Sequence, residues 1–277
     1  MTLDPSGIVT DIPPSHPRYA SLMARERLVE GVGSGLTSDA GLIAHGRGEA
    51  FDYLLGERTT EEARRAERIS AALLLLAVHP VVSVNGNVAA LAADQVVELQ
   101  RRITGLRRKR DGSGSPLVVE VNLFHRSEER VGLIADLLRA KGAEGILGEA
   151  PDMRVPGLDH ARGLCSRGGV GTADVVLIPL EDGDRAEALV DWGRQVIAID
   201  LNPLARTSRK AHVTIVDELT RALPAIWEEA EDLASSTDGD LRAVVASWDN
   251  DMNLGSTLQR IANRLQDLDG ERLGEGI

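Results

Sequence analysis

VIAIDLNPLARTSRKAHVTIVD, residues 196–217, carries the plainest fold signal in this chain. An apolar run from Val196 to Ile199 stops at Asp200. A loop with Arg206, Arg209 and Lys210 follows, and a second apolar run begins at Val213. In an open α/β sheet, ligands bind where the carboxyl ends of strands meet loops. A carboxylate at a strand end accepts hydrogen bonds from hydroxyls and amines, and arginines beside it neutralise phosphate. Two readings stand for this stretch: a nucleotide site, or a strand closed by an acidic turn and a solvated basic loop.

The same pattern extends outward. Strands are expected at residues 81–84, 117–123, 146–147, 175–179, 196–199 and 213–215. Helical patterns lie between most of them. One starts at His16-Pro17, runs to Glu30 and is broken by Gly31, Gly33 and Gly35; another starts at the capping box Thr59-Thr60-Glu61-Glu62 and reaches Ala77. A third runs from Asn87 through Leu99, and others cover 128–140, 158–165, 185–192 and 219–233. Strands alternating with helices give an α/β, Rossmann-like fold: a mostly parallel sheet with helices on both faces. Residues 1–234 are expected to form this domain. Residues 235–277 read as an acidic linker followed by an amphipathic helix with Leu254, Leu258, Ile261, Leu265 and Leu268 on one stripe. A free helix would expose that stripe, so it is expected to dock on the body or on a second subunit.

Composition narrows the function. A net charge of −12 argues against nonspecific nucleic-acid binding. Lysines number only three, Lys109, Lys141 and Lys210, against a majority of arginines; a high-salt cytoplasm and a GC-rich coding bias both account for this. The lone Cys165 excludes an internal disulfide and a cysteine-cluster metal site, and the histidines lack zinc-enzyme spacing. With no signal-like N-terminus and no apolar run of membrane length, the chain is expected to be soluble and cytoplasmic. The basic segment 107–115 reads as a solvated insertion.

No P-loop motif is present, and Gly168-Gly169-Val170-Gly171 reads as a helix cap and turn. The segment GLIAHGRGEAFDY, residues 41–53, is different. Gly46 and Gly48 flank Arg47 with His45 alongside, so backbone N–H groups, guanidinium and imidazole can converge on phosphate; the alternative is an ordinary glycine turn. Arg25 shares the apolar phase of Leu22, Val29 and Val32, which calls for a ligand, a partner or snorkelling. Ser83, Asn85, Gly86 and Asn87 join a strand to a helix and suit an uncharged polar substrate group, with Asn87 equally able to be the helix N-cap. Asp184 reads as a cap with Glu187, leaving Asp182 for Mg²⁺ or an amine.

Several collinear blocks resemble the archaeal phosphopantothenate synthetase family, also called 4-phosphopantoate–β-alanine ligase. They are SHPRY (15–19), GLIAHGRGEAFDY (41–53), VSVNGNVAA (82–90), NLF (122–124), VLIPLEDGDR (176–185) and IAIDLNPLART (197–207). The resemblance spans residues 10–233, with the insertion at 107–115 and the tail beyond Leu233 as departures. It implies a homodimer that makes 4′-phosphopantothenate for coenzyme A from 4-phosphopantoate, β-alanine and ATP, through an acyl-adenylate with release of pyrophosphate and AMP. The family's ATP contacts map onto Arg25, Arg47, Asp200-Leu201-Asn202, Arg206-Thr207 and Glu218-Leu219. By residue chemistry, His45 and Arg47 are expected at the reacting centre, Ser83, Asn85, Gly86 and Asn87 on the pantoate part, and Asp182 on Mg²⁺ or the incoming amine. Two other classes compete: an NAD(P)-dependent oxidoreductase, which lacks a correctly placed GxGxxG, and a non-catalytic nucleotide sensor.

Overall fold

A computed structural model describes residues 12–112 and 114–274, with the backbone of two short strands at 2–3 and 9–10; for residue 111 and residues 268–274 the backbone alone is described. The sequence expectations for Leu268 as part of the stripe and for Ser113 in the basic segment fall outside the described residues. In chain order, β1 (Thr2–Leu3) and β2 (Val9–Thr10) precede α1 (Tyr19–Gly33), α2 (Asp39–Leu55) and α3 (Glu61–Leu76). Next come β3 (Pro80–Val84), α4 (Gly86–Asp111), β4 (Val118–Val121), α5 (Glu128–Ala140), β5 (Met153–Arg154) and β6 (Leu164–Cys165). The rest is β7 (Val175–Pro179), α6 (Gly183–Asp191), β8 (Gln195–Ile199), α7 (Arg206–Lys210), β9 (Val213–Ile215), α8 (Leu219–Asp232), α9 (Asp238–Ala246) and α10 (Asn250–Gly274).

Strands β3, β4, β7, β8 and β9 are mostly apolar and buried on both faces, as in a parallel sheet covered by helices on either side. They form one sheet in the order β4-β3-β7-β8-β9, parallel throughout. Alternate residues serve two cores. Val82, Val84, Leu177, Ile197 and Ile199 join the larger one with residues of α3, α4 and α8. Val81, Val176, Ile178, Val196 and Ala198 join the smaller one with Ala186 and Leu189 of α6 and with Val155, Cys165 and Val170. From β3 the chain crosses outward to β4, then returns past β3 to β7. This reversal opens a crevice at the carboxyl ends of β3 and β7, the position where doubly wound sheets bind ligands.

Local structure departs from the sequence expectations at definite places. Residues 39–55 are helical, so Gly46 and Gly48 lie inside α2 and do not form a phosphate-cradling turn. The inward face of α1 is Met23, Ala24, Leu28 and Gly31, while Val29 is exposed; Arg25 therefore lies off the buried stripe. The expected helix at 158–165 is a short 3₁₀ turn and strand β6. The segment at 166–171 is a turn that wraps the buried Glu120 carboxylate, which accepts from Ser166 N and Val170 N at 2.8 Å each. A side chain on Gly169 would collide with that carboxylate, which explains the glycine. Arg107 to Arg110 end α4, and Arg107 is buried with Nη1 donating to Leu74 O at 2.7 Å, so this part is not a solvated insertion. The acidic stretch after Ser236 starts α9, with a Thr237–Asp240 capping box. Helix α10 docks on the body: Leu254 and Ile261 are buried with Leu55 and Val216, whereas Leu265 is half exposed.

Candidate active site

Helix α2 lies across the carboxyl edge of the sheet, and three contacts fix its course. At its start, Gly41 O accepts from Asn87 Nδ2 at 2.9 Å, just beyond β3. A side chain on Gly41 would collide with Asn87 Oδ1 and Thr37, so the close approach requires glycine there. Midway, a Cβ on Gly48 would stand 3.7 Å from Leu201 Cβ, beyond β8. Near its end, Asp52 Oδ1 accepts from Arg221 Nη2 at 2.6 Å, beyond β9. Gly41 thus sets the distance at the start of the helix, while the position of Gly48 has room for a methyl group.

His45 and Arg47 lie in the middle of this helix, within three residues of Gly48. His45 is half-buried, and burial lowers the imidazole's proton affinity despite Glu49 one turn on. Arg47 is exposed and makes no ion pair among the described residues. Arg25 reaches α2 from α1: its Nε donates to Glu49 Oε1 at 2.9 Å and its Nη2 to Tyr53 Oη at 2.5 Å.

At the β3–β7 switch point, Asn85 caps α4 by accepting from Val88 N at 3.1 Å. Its Nδ2 donates to Pro179 O and Leu180 O at 3.1 and 3.0 Å, tying the two strand ends together. The cap is therefore Asn85, while Asn87 is a helical residue whose amide anchors Thr37 and Gly41. Gly86 allows Leu36 O to pass where a side chain would collide. Ser83 is buried and accepts from Arg185 Nη1 at 2.9 Å.

Beyond β7, Asp182 caps α6, accepting from Arg185 N at 2.9 Å, and its second oxygen meets Arg162 Nε at 2.9 Å. Burial alone would raise this carboxyl, but the Arg185 N–H and the Arg162 charge outweigh it and hold it low. Asp184, read from sequence as the cap, pairs with Arg206 on the surface. Beneath Asp182, buried Glu181 bridges Arg162 Nη2 at 2.6 Å and Arg185 Nη1 at 2.5 Å. Sequence reasoning missed this pair of arginines. Arg185 had one signal, its i,i+4 spacing from Glu181; Arg162, on a separate loop, had none.

Among the described residues Asp200, beyond β8, accepts only from Asn202 N, at 2.9 Å, and burial raises its carboxyl to about 6. Leu201 packs toward α2, and Asn202 O accepts from Ser208 Oγ at 2.7 Å. Thr207 is buried and donates to Glu181 O at 2.8 Å, while Arg206 is engaged by Asp184 and Glu187. Glu218 caps α8 through Thr220 N at 2.7 Å; burial raises its carboxyl, and Leu219 behind it is buried. Asp217 and Asp52 hold Arg221 in a third network; Asp217 has the i,i+4 signal, whereas Asp52, on α2, has none in local sequence. The structure therefore gathers residues from 41–53, 83–87, 181–182, 200–207 and 217–219 along one sheet edge. Arg25 and Arg206 meet carboxylates there. Among the described residues no three His, Cys, Asp or Glu side chains assemble as a metal site.

A match to the phosphopantothenate/pantothenate synthetase family spans residues 62–264. A Methanosarcina mazei protein named 4-phosphopantoate–β-alanine ligase is 51% identical over 95% of this chain and 99% of its own. Proteins of the same name from Thermococcus onnurineus and Methanospirillum hungatei are 50% and 58% identical, over 93% and 78% of this chain and 94% and 83% of theirs. The family match continues through α9 into α10, so the likeness does not end near Leu233 as the motifs alone suggested.

Proposed function

The chain belongs to the phosphopantothenate/pantothenate synthetase family, and on that premise we propose that it joins 4-phosphopantoate to β-alanine with ATP, giving 4′-phosphopantothenate for coenzyme A. The observation that carries this reading is the shared name of relatives at 49–58% identity. In support, every motif block after residue 40 borders the carboxyl edge of one sheet.

In the proposed reaction the acid's carboxylate attacks the α-phosphorus and pyrophosphate leaves. The neutral amine of β-alanine then attacks the acyl carbon, and AMP leaves with the electrons of the acyl–oxygen bond. Water takes the amine's proton. Asp200, Leu201, Asn202, Thr207, Glu218 and Leu219 are assigned to the nucleotide, above β8 and β9. Arg25, Arg47 and Arg206 are assigned to its phosphates, with His45 beside Arg47 at the reacting centre. Arg25 and Arg206 must exchange Glu49, Asp184 and Glu187 for phosphate oxygens, whereas Arg47 has no ion pair among the described residues to give up. Ser83, Asn85, Gly86 and Asn87 shape the floor for the pantoate part. Asp182 keeps its charge at the crevice and suits the ammonium of arriving β-alanine better than a metal, because Arg162 already occupies one oxygen. Mg²⁺ is assigned to the ATP polyphosphate, and no step is drawn through it, since the described side chains assemble no metal site of their own.

We further propose that residues 1–234 form the ligase body, that 235–277 buttress it, and that the enzyme is a cytoplasmic homodimer. Pyrophosphate release that requires ATP, 4-phosphopantoate and β-alanine together tests the central reading. Hydride transfer to NAD(P), or nucleotide binding without turnover, would overturn it.

A further inference from the structure

Most guanidinium groups at the carboxyl edge are matched to carboxylates: Arg162 and Arg185 to Glu181, Arg206 to Asp184 and Glu187, Arg221 to Asp52 and Asp217, and Arg25 to Glu49. The loop leaving β4 breaks this pattern. Among the described residues the guanidinium of Arg130, in the first turn of α5, donates only to carbonyls: Gly35 O at 3.2 Å, His125 O at 2.8 Å and Leu36 O at 3.2 Å. Arg126 also donates only to carbonyls, with one nitrogen, Nη2, on Gly148 O and Glu149 O. Such bonds orient a guanidinium without neutralising it. Burial disfavours the charged form of both side chains. Glu120 and Glu128 offset that burial for Arg126 only in part: Glu120 is hydrogen-bonded to Ser166 N and Val170 N, and neither pairs with Arg126 directly among the described residues.

Position matters as much as charge. A Cβ on Gly86 would lie 3.2 Å from Arg130 Nη2, so this guanidinium stands beside the Asn85–Asn87 turn at the switch point. The sheet order puts β4 on the opposite side of that point from β8 and β9. From β4 to β7 is two strand spacings, roughly 10 Å. 4-Phosphopantoate carries phosphate and carboxylate at opposite ends of a four-carbon chain, a length suited to that span.

We propose that Arg126 and Arg130 form the subsite for the phosphate monoester of the acid substrate, leaving its carboxylate directed toward β7 and the nucleotide above β8 and β9. This rests on the ligase reading. A dianion met by two guanidinium groups gains charge-assisted bonds from donors that have no carboxylate to give up. Arg126 Nε and Nη1 are without partners among the described residues. The subsite also accounts for selection of the phosphorylated acid over pantoate.

Arg126→Gln and Arg130→Gln test it in the intact enzyme. Each is expected to raise KM for 4-phosphopantoate at least about tenfold and leave KM for ATP and β-alanine within about twofold. The preference over pantoate should fall by the same factor. Unchanged KM for the acid, or a rise confined to ATP, overturns the proposal. Arg130 also fastens the 35–36 loop, so Arg126→Gln, with its melting temperature checked against wild type, is the deciding variant. Titration calorimetry with 4-phosphopantoate alone separates the two readings. If wild type releases no pyrophosphate, the ligase reading fails. Binding weakened about tenfold in Arg126→Gln still supports the subsite, whereas equal binding or none to wild type removes it.

Discussion

Strands β7 and β8 are neighbours in the sheet, and each delivers a carboxylate to the same crevice, yet the two carboxylates live under opposite conditions. Glu181 and Asp182, beyond β7, are saturated by Arg162 and Arg185 and by the first turn of α6. Asp200, beyond β8, has one backbone N–H and no cation among the described residues, and its carboxyl is raised to about 6. Glu181, buried between two arginines, acts as scaffold, because its geometry is already fixed and its charge already spent on neighbours, whereas Asp182 beside it has one arginine and stays partly exposed. A carboxylate left unmatched and partly buried is disfavoured until a ligand's hydroxyls or amines reach it.

The largest expected effect comes from breaking the matched side. Arg185 is fully buried, and Arg185→Ala removes one of the two cations on Glu181 and opens a cavity beneath Ser83. Breaking a buried ion pair from one side costs about 3–5 kcal/mol. Denaturant unfolding should show that loss, and Glu181→Gln combined with Arg185→Met should lose less than Arg185→Met alone. A loss below about 1 kcal/mol would mean the pair is ordinary surface electrostatics and that the contrast between β7 and β8 is false.

The unmatched side should respond in the opposite sense. Asp200 holds its proton more tightly in the folded protein than at its ordinary value of 3.8. Its contribution to stability is therefore fully present below pH 3.8 and is lost as pH rises through about 6. Asp200→Asn, which resembles the protonated form and still accepts from Asn202 N, should stabilise the protein by about 2–3 kcal/mol at pH 8 and by nothing near pH 3.5. The same variant should raise KM for ATP far more than KM for β-alanine. A stability gain independent of pH would show that something other than the Asp200 charge is responsible.

How much of this was legible in the sequence follows from the range of each interaction. Strands β7, β8 and β9 and helix α5 were readable because apolar runs and the Ser127 cap are local signals. Asp200 and Arg47 could be singled out because a strand end and a glycine-flanked arginine are also local patterns. Helix α2 was hidden by Gly46 and Gly48, whose helix-breaking tendency is a weak prior that tertiary packing of the helix overrides; only Gly41, at its start, is required by close approach to Asn87. The fate of Asp182 was illegible, since it depends on Arg162, twenty residues earlier on a loop without periodicity. Arg25 was misplaced by a phase argument that fixed the wrong face of α1; the buried side is set by contact with α4, which sequence periodicity alone did not register.

Arg47 offers the finest test of the comparison, because it can be set against Arg206. Both are exposed arginines assigned to ATP phosphates, but Arg206 is held by Asp184 and Glu187 while Arg47 makes no ion pair among the described residues. Lysine keeps the charge and loses the planar fork, so Arg47→Lys should leave folding intact and change only what the fork does for a ligand. If Arg47 bridges phosphate or carboxylate oxygens as the reaction proceeds, kcat/KM falls by about 1–2 kcal/mol, roughly a factor of 5–30. Arg206→Lys should cost less, because Lys at 206 can keep one of its two surface carboxylates and because ATP must compete with them in wild type. Measuring both variants under one ATP concentration series decides the order. Equal losses would mean that matching by neighbouring carboxylates does not predict which cations serve the ligand. A near-wild-type Arg47→Lys would take Arg47 out of the site.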